Sequence, residues 1–295
     1  MKWIFPFMWL SFSLYAQEPD KVDIIPIQLT DQIYMIKGSG GNMGLLAGEE
    51  GLLLIDDQFA PLSEKIMKAI NDNISERPIN YLINTHWHGD HTGGNKNFAE
   101  AGAVILAHKN VYKRLAEGRK VQAFRPAIPP APKEALPRIT FTNEMNLHFN
   151  GEAIMIFHSH NGHTDGDAII YFPQGNVIHM GDTYFQGRFP YIDLASGGSL
   201  AKLIQSINSS LILIDDSTQI IPGHGNVSNR AELLVYRDMI ADMYQRVKQS
   251  VEAGLSLEEV QAANLTKGYE DWSWGFITSE KFVKTIFDEL TAEPH

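Results

Sequence analysis

The chain has 295 residues, enough for one large domain or two tightly packed halves, and it contains no cysteine. Thiol nucleophiles, disulfide scaffolds, iron–sulfur clusters and cysteine-based zinc fingers are therefore excluded, and 44% hydrophobic against 20% charged residues is the balance of a folded protein. A formal net charge of −11 argues against a nucleic-acid partner and against a basic grip on an anionic membrane.

In chain order, residues 1–16 read as an export leader. Lys2 gives a positive start, residues 3–14 are almost wholly apolar, and Ala16 precedes polar Gln17, Glu18 and Pro19. No other apolar run approaches the about 20 residues that span a bilayer, so the expected product is soluble and exported, periplasmic or extracellular. Short β-rich runs follow at 24–29, 32–37, 43–47 and 52–55, separated by Gly, Asp and Asn. Pro61 suits the start of a helix to about Ile70, with Leu62, Ile66 and Ile70 on one face. Strands are expected at 81–84 and 104–107, with a polar, His-rich loop between them. Residues 122–138 carry prolines and no period, as an irregular connection between two halves.

The second half repeats the theme. Strands are expected at 147–149, 153–157, 168–172, 177–180 and 219–221, with a short helix at 200–207. Beyond that the chain turns helical: Ser228 is a plausible N-cap and Leu233, Tyr236, Ile240, Tyr244, Val247 and Val251 make a stripe ended by Gly254. Ser256 and Glu259 are spaced as a capping box, and Phe282, Val283, Ile286, Phe287 and Leu290 mark a last amphipathic helix. Two similar α/β halves suggest two sheets packed face to face with helices outside.

The chemistry is concentrated in His86-Trp87-His88-Gly89-Asp90-His91, directly after a predicted strand. Residues two apart in an extended segment point the same way, so His86 and His88 can converge on one metal. Asp90 and His91, past flexible Gly89, can turn to a neighbouring one. Imidazole and carboxylate suit Zn²⁺, with iron, manganese and cobalt left open. His163, Asp182 and His224 each stand beside a glycine at a predicted strand end, where backbone and metal can approach closely. Together these are seven ligands, about what two adjacent metals with a shared water require.

The H-x-H-x-D-H motif, the later Gly-His-Thr, the Gly-Asp after a strand and the Gly-His-Gly resemble, in order and spacing, the metallo-β-lactamase superfamily, over about residues 24–224. The resemblance implies an α/β (α+β) fold, the αββα sandwich, occupying residues 24–227, with a C-terminal helical segment, 228–295, packed on the same domain. It implies two Zn²⁺ per chain: His86, His88 and His163 on the first, Asp90, His91 and His224 on the second, Asp182 bridging, and Asp56 bracing the His-rich loop. It implies a hydrolase of a small-molecule carbonyl substrate, a cyclic amide or ester of β-lactam-like or lactone-like type, attacked by a metal-bridging hydroxide that Asp90 orients as the catalytic residue. A glyoxalase II-like thioester hydrolase and an iron-dependent oxidoreductase on the same fold are the alternatives. Many lactamases with cysteine at the bridging position carry a lysine three residues later to hold the substrate carboxylate; here Phe185 stands there and Arg188 is the nearest cation, so β-lactam turnover is expected to be weak or narrow. Gly38–Asn42 and residues 184–199 are candidate rims of the pocket. His160 is a candidate outer-sphere partner and Trp87 a candidate pocket wall, whereas Trp272 and Trp274 read as helix-packing residues.

Overall fold

A computed structural model describes residues 21–119 and 127–292, so the proposed leader lies outside the described residues. The first half forms seven strands: β1 (Ile25–Gln28), β2 (Ile33–Lys37), β3 (Met43–Gly48), β4 (Gly51–Ile55), β5 (Ile79–Ile83), β6 (Val104–His108) and β7 (Ile139–Phe141). They lie side by side in sequence order, antiparallel from β1 to β4 and parallel from β4 to β7. Helices α1 (Ser63–Asn73), α2 (Gly89–Thr92), α3 (Asn95–Glu100) and α4 (Lys109–Glu117) connect the parallel strands, as parallel pairing requires.

The second sheet holds β8 (Glu144–Phe149), β9 (Glu152–His158), β10 (Ala168–Phe172), β11 (Val177–Phe185) and β12 (Gln219–His224), in the order β12-β11-β10-β9-β8. β11 and β12 are parallel, bridged by α5 (Leu200–Leu213). The chain closes with α6 (Arg230–Glu252), α7 (Leu257–Ala262) and α8 (Ser279–Thr291).

Three apolar layers follow. Ile33, Leu53, Ile83, Ile170 and Ile221 fill the space between the sheets. α1 and α3 cover the outside of the first sheet with Ile66, Ile70 and Phe98. α5, α6 and α8 cover the second with Leu203, Ile207, Ile240, Met243 and Phe282. This is the αββα sandwich, and β4, buried along its whole length, reads as a continuous apolar run because it is covered on both faces.

Several boundaries differ from the sequence reading. β11 runs on to Phe185 instead of stopping at Met180, because Gly181, with φ of 50°, carries the strand through an irregularity that resembles a turn in sequence. α5 extends to Leu213. The N-cap of α6 is Asn229, not Ser228, whose backbone is still paired with Ile220. β7, α2, α3 and α4 have no counterpart in the sequence reading: each is too short, or buries too few apolar side chains, to show a period. The capping box at Ser256 and Glu259 forms as expected.

Candidate metal centre

All seven sequence-predicted ligands meet at one edge of the sandwich. His86 and His88 follow β5; His88 is extended, with φ −67° and ψ 149°. α2 then turns the chain once and redirects Asp90 and His91. His163 sits in the β9–β10 connection, Asp182 lies within β11, and His224 ends β12.

Two clusters result. Around the first, His88 Nδ1 lies 3.1 Å from His86 Nε2 and 2.9 Å from His163 Nε2. Asp182 Oδ2 lies 3.8 and 3.5 Å from the same two nitrogens. Around the second, His91 Nε2 is 3.6 Å from Asp90 Oδ2 and 3.2 Å from Asp182 Oδ1, and His224 Nε2 is 3.5 and 3.4 Å from those oxygens. Four donors held tetrahedrally at a zinc–nitrogen distance of about 2.1 Å are about 3.4 Å apart, so both clusters have the spacing that one small cation imposes.

In four of the five histidines the other ring nitrogen is occupied. His91 Nδ1 donates to Asp56 Oδ2 at 2.7 Å. His163 Nδ1 donates to the Tyr191 carbonyl at 2.6 Å. His88 Nε2 donates to Asp193 Oδ2 at 3.1 Å, and Asp193 is fully buried. Thr85 Oγ1 donates to Asp56 Oδ2 at 2.7 Å and so accepts from His86 Nδ1 at 3.0 Å. Each of these rings thus turns a lone pair inward. Asp56, at φ of 59°, ends β4 and also accepts from Thr85 N, which fixes the start of the His-rich loop. Asp167 accepts from the backbone N–H groups of His163 and Thr164 and from the Thr164 hydroxyl, fixing the second loop.

The electrostatics ask for cations. Burial lowers His86 well below the ordinary histidine range and pushes His163 down to about 4, so both favour the neutral ligand form. Burial opposes charge on His91, but the carboxylates of Asp182, Asp90 and Asp56 outweigh it and raise that ring well above the usual value. Burial also penalises ionised Asp182, yet His224, His91 and His86 together hold it well below the carboxylate range. His91 Nε2 and Asp182 Oδ1 are buried, 3.2 Å apart, and neither makes a hydrogen bond. Orphaned buried polar atoms are costly within a protein, and a divalent cation satisfies both.

Two glycines make room for this. A Cβ on Gly41 would run into the His91 ring, and one on Gly223 into Asp182 Oδ1.

Two expectations are corrected. His160 stacks edge-on to His158, 4.9 Å away, and makes no ring or hydrogen-bond contact with His163 among the described residues. Its φ of 32° is part of the turn that carries the chain towards His163, and that turn directs its ring elsewhere. Trp87 is buried against Ala107, Val111 and Leu115, with Arg114 and Arg119 over its ring. Its side chain faces that apolar cluster, where it borders a cavity that only His88 of the seven residues reaches, so it packs instead of walling the space between the clusters. Of the rims, Gly41 N donates to Asp90 O and Asn42 N to Gly223 O, placing the first loop over the second cluster. In the other rim, Phe185 stacks on the His224 ring at 5.1 Å, and Arg188 lies over the Trp274 ring. Thr85, Asp193 and the Tyr191 carbonyl were not recognisable as supports: each is a single ordinary residue with no local pattern around it.

The sequence profile of the metallo-β-lactamase superfamily matches residues 36–224, and the chain belongs to that family. It is accordingly an enzyme of the metal-dependent hydrolase class. The α subunit of 2,4-dinitroanisole O-demethylase from Nocardioides sp. (strain JS1661) is 26% identical over 48% of this chain, and the match spans only 40% of that relative. A metallo-β-lactamase type 2 from Bacillus cereus is 24% identical over 66% of this chain and 71% of its own length. Among solved structures, the stereoselective inverting sec-alkylsulfatase from Pseudomonas sp. superposes with a TM-score of 0.68 at 17% identity, covering 90% of this chain and 50% of that one. At that identity the likeness is one of fold.

Proposed function

We propose that the chain is a binuclear, zinc-dependent hydrolase that opens a carbonyl substrate, a cyclic amide or ester of β-lactam-like or lactone-like type. The observation that carries this reading is Asp182, whose two carboxylate oxygens face separate donor clusters and so fit a bridge between two cations. Bound there, a pair of divalent ions lowers the pKa of water to near neutrality and polarises a carbonyl oxygen. Every donor is nitrogen or carboxylate oxygen and each cluster offers four, a set that suits zinc.

The chain's own groups do the rest. His86, His88, His163 and His91 are held in their ligand tautomers by Thr85, Asp193, Tyr191 and Asp56. Asp90, partly exposed at the mouth with Oδ2 between His91 and His224, is placed to accept a proton from an attacking water and return it to the leaving group. No serine or cysteine nucleophile is required. We also propose that residues 1–16 direct export; among the described residues no helix is long and apolar enough to cross a membrane.

The test is elemental analysis of zinc-reconstituted protein joined to a hydrolysis screen over β-lactams, lactones, thioesters, phosphoesters and sulfate esters. Close to two zinc equivalents with turnover of a carboxylic ester, thioester or amide supports the reading. A firm stoichiometry of one, or turnover confined to sulfate or phosphate esters, overturns it. Recovery of the protein from the exported fraction at the mass expected without residues 1–16 tests the leader.

A further inference from the structure

The profile match ends at His224, yet the chain returns to the metal edge well beyond that point. Residues 272–278, between α7 and α8, are fastened to the rim loop after β11 at one residue. Phe189 N donates to the Trp272 carbonyl at 2.8 Å, and the Trp274 indole N–H donates to the Phe189 carbonyl at 2.9 Å. The Phe189 ring is fully buried and stacked on Phe282 of α8 at 4.5 Å, so the joint is anchored in the core.

This fastening closes an arc of rings around one side of the metal edge. It starts at His224, on which Phe185 stacks at 5.1 Å. Trp274 lies 6.3 Å from Phe185, and Phe276 lies 5.6 Å from Trp274. Tyr191 is 5.2 Å from Phe276, and the Tyr191 ring ends the arc 5.8 Å from His88 and 5.6 Å from His163. The arc therefore runs from a ligand of the second cluster to two ligands of the first. Phe276, at 48% exposure, is its open member. Arg188 lies over Trp274 at 5.0 Å and Lys281 over Phe276 at 5.6 Å, holding the two rings that the C-terminal segment supplies.

We propose that Trp274 and Phe276, with Tyr191 and backed by the buried Phe185, form a substrate subsite for a flat aromatic or similarly bulky apolar arm on the acyl side of the hydrolysed bond, so that the segment beyond the family match sets specificity. This rests on the hydrolase reading above and adds the substrate's chemical class. An exposed ring one residue removed from the metal-edge histidines gains most by covering an apolar group, and Phe276 and Tyr191, set edge-to-face at 68°, offer a face and an edge to another ring.

The test compares the S-methyl thioesters of acetic and phenylacetic acid on the zinc-loaded full chain, following thiol release, in the native protein and in Phe276→Ser and Phe276→Trp. Binding of acetate and phenylacetate is measured in parallel by calorimetry, and the solution mass by light scattering. Native protein is expected to favour the phenylacetyl substrate by about tenfold in kcat/KM, which corresponds to about 1.4 kcal/mol. Phe276→Ser should lose most of that preference and Phe276→Trp should keep it, a ratio that a loss of structure alone would not move. Equal use of both thioesters by native protein, or a preference unchanged in Phe276→Ser, overturns the subsite. If neither thioester is cleaved, the calorimetry decides: tighter phenylacetate binding that depends on Phe276 upholds the subsite and leaves the hydrolase reading to the lactone and β-lactam arms of the screen, and equal affinities overturn the subsite. A dimer that falls apart in Phe276→Ser would show that a second copy of this chain covers the ring, which also overturns it.

Discussion

The two donor clusters are built from similar groups but held differently. In the first, each of the three histidines has its second nitrogen engaged, by Thr85, Asp193 or the Tyr191 carbonyl, and His86 and His163 are buried. In the second, His91 alone is anchored in that way, by Asp56. Among the described residues no hydrogen bond holds the second nitrogen of His224, whose support is the stacked Phe185 ring, and the side chains of His224 and Asp90 are 19% and 29% exposed. Pre-organised, dry ligands bind a cation tightly, while wetter and looser ones bind it weakly and leave it open to substrate. On the binuclear reading proposed above, the difference predicts a tightly held cation at the first cluster and a more readily exchanged one at the second.

The most severe way to break this contrast is Asp182→Ala, which removes a donor from both clusters. The first keeps three anchored histidines, whereas the second keeps only Asp90, His91 and His224. Zinc content is expected to fall from two equivalents to about one, with kcat/KM on any ester the protein cleaves down at least about a thousandfold. Retention of both equivalents, read by elemental analysis, would show that Asp182 bridges nothing.

Next in size are the two outer carboxylates, which probe each cluster separately. Asp56→Asn should weaken the second, more weakly held zinc by about 10- to 100-fold, and Asp193→Asn the first by a similar factor. Competition titrations with a chromogenic chelator resolve the two steps. Identical effects of both variants on both steps would erase the distinction between the clusters. Titrating native protein with the same chelator should remove one equivalent clearly ahead of the other, and simultaneous loss would count against the contrast.

A smaller effect concerns β-lactams. With Phe185 packed flat on His224 and Arg188 engaged with Trp274, no cation is placed by that loop to hold a substrate carboxylate as a lysine would. Losing one charge-assisted contact costs about 1.5–3 kcal/mol, so steady-state kinetics on a penicillin, a cephalosporin and a carbapenem should show efficiencies at least about tenfold below those on the best ester. High efficiency on all three, untouched by Arg188→Ala, would mean that the metal edge alone anchors the carboxylate.

The smallest effect is a control on acid lability. His108 belongs to neither cluster and is pushed down to about 4, by burial first and then by its stacked neighbour His158, 4.0 Å away. Its folded value lies below the about 6.5 of an unfolded chain, so the unfolded state binds more protons between those limits. The stability it contributes is present above about pH 6.5 and is lost as the pH falls towards 4. Urea midpoints of metal-free protein should drop over that window, less steeply in His108→Gln. An unchanged slope in the variant would return the acid sensitivity to the other buried histidines, among them His86, His163 and His179.

The seven residues that meet at the metal edge were legible because four fall within one six-residue motif and three stand next to glycines, of which Gly223 leaves the room that Asp182 occupies. Their supports were not, because a lone Asp193 reaches His88 across 105 positions and nothing local announces it. The core strands β4 and β10 were legible as apolar runs. The full length of β11 was not, since Gly181-Asp182-Thr183 carries turn chemistry while lying within a strand. Trp274 packs against the core of the second half as its sequence suggested, but its joint to Phe189 was not legible, because the two are distant in sequence and meet only once both loops are in place.

Asn42 joins residues that the ribosome delivers far apart. Its side-chain N–H groups donate to the carbonyls of Pro222 and Gly225, and the first of these bonds spans 180 positions. Contacts of such long range are among the last a chain can close, because loop-closure entropy must be spent before they return anything. The nascent protein therefore passes through most of its synthesis with the first rim loop untethered and the His86 and His224 ends of the centre apart. The second cluster is completed only when β12 arrives with His224, so a chain cut before that strand carries the first set of donors and an unfinished second one.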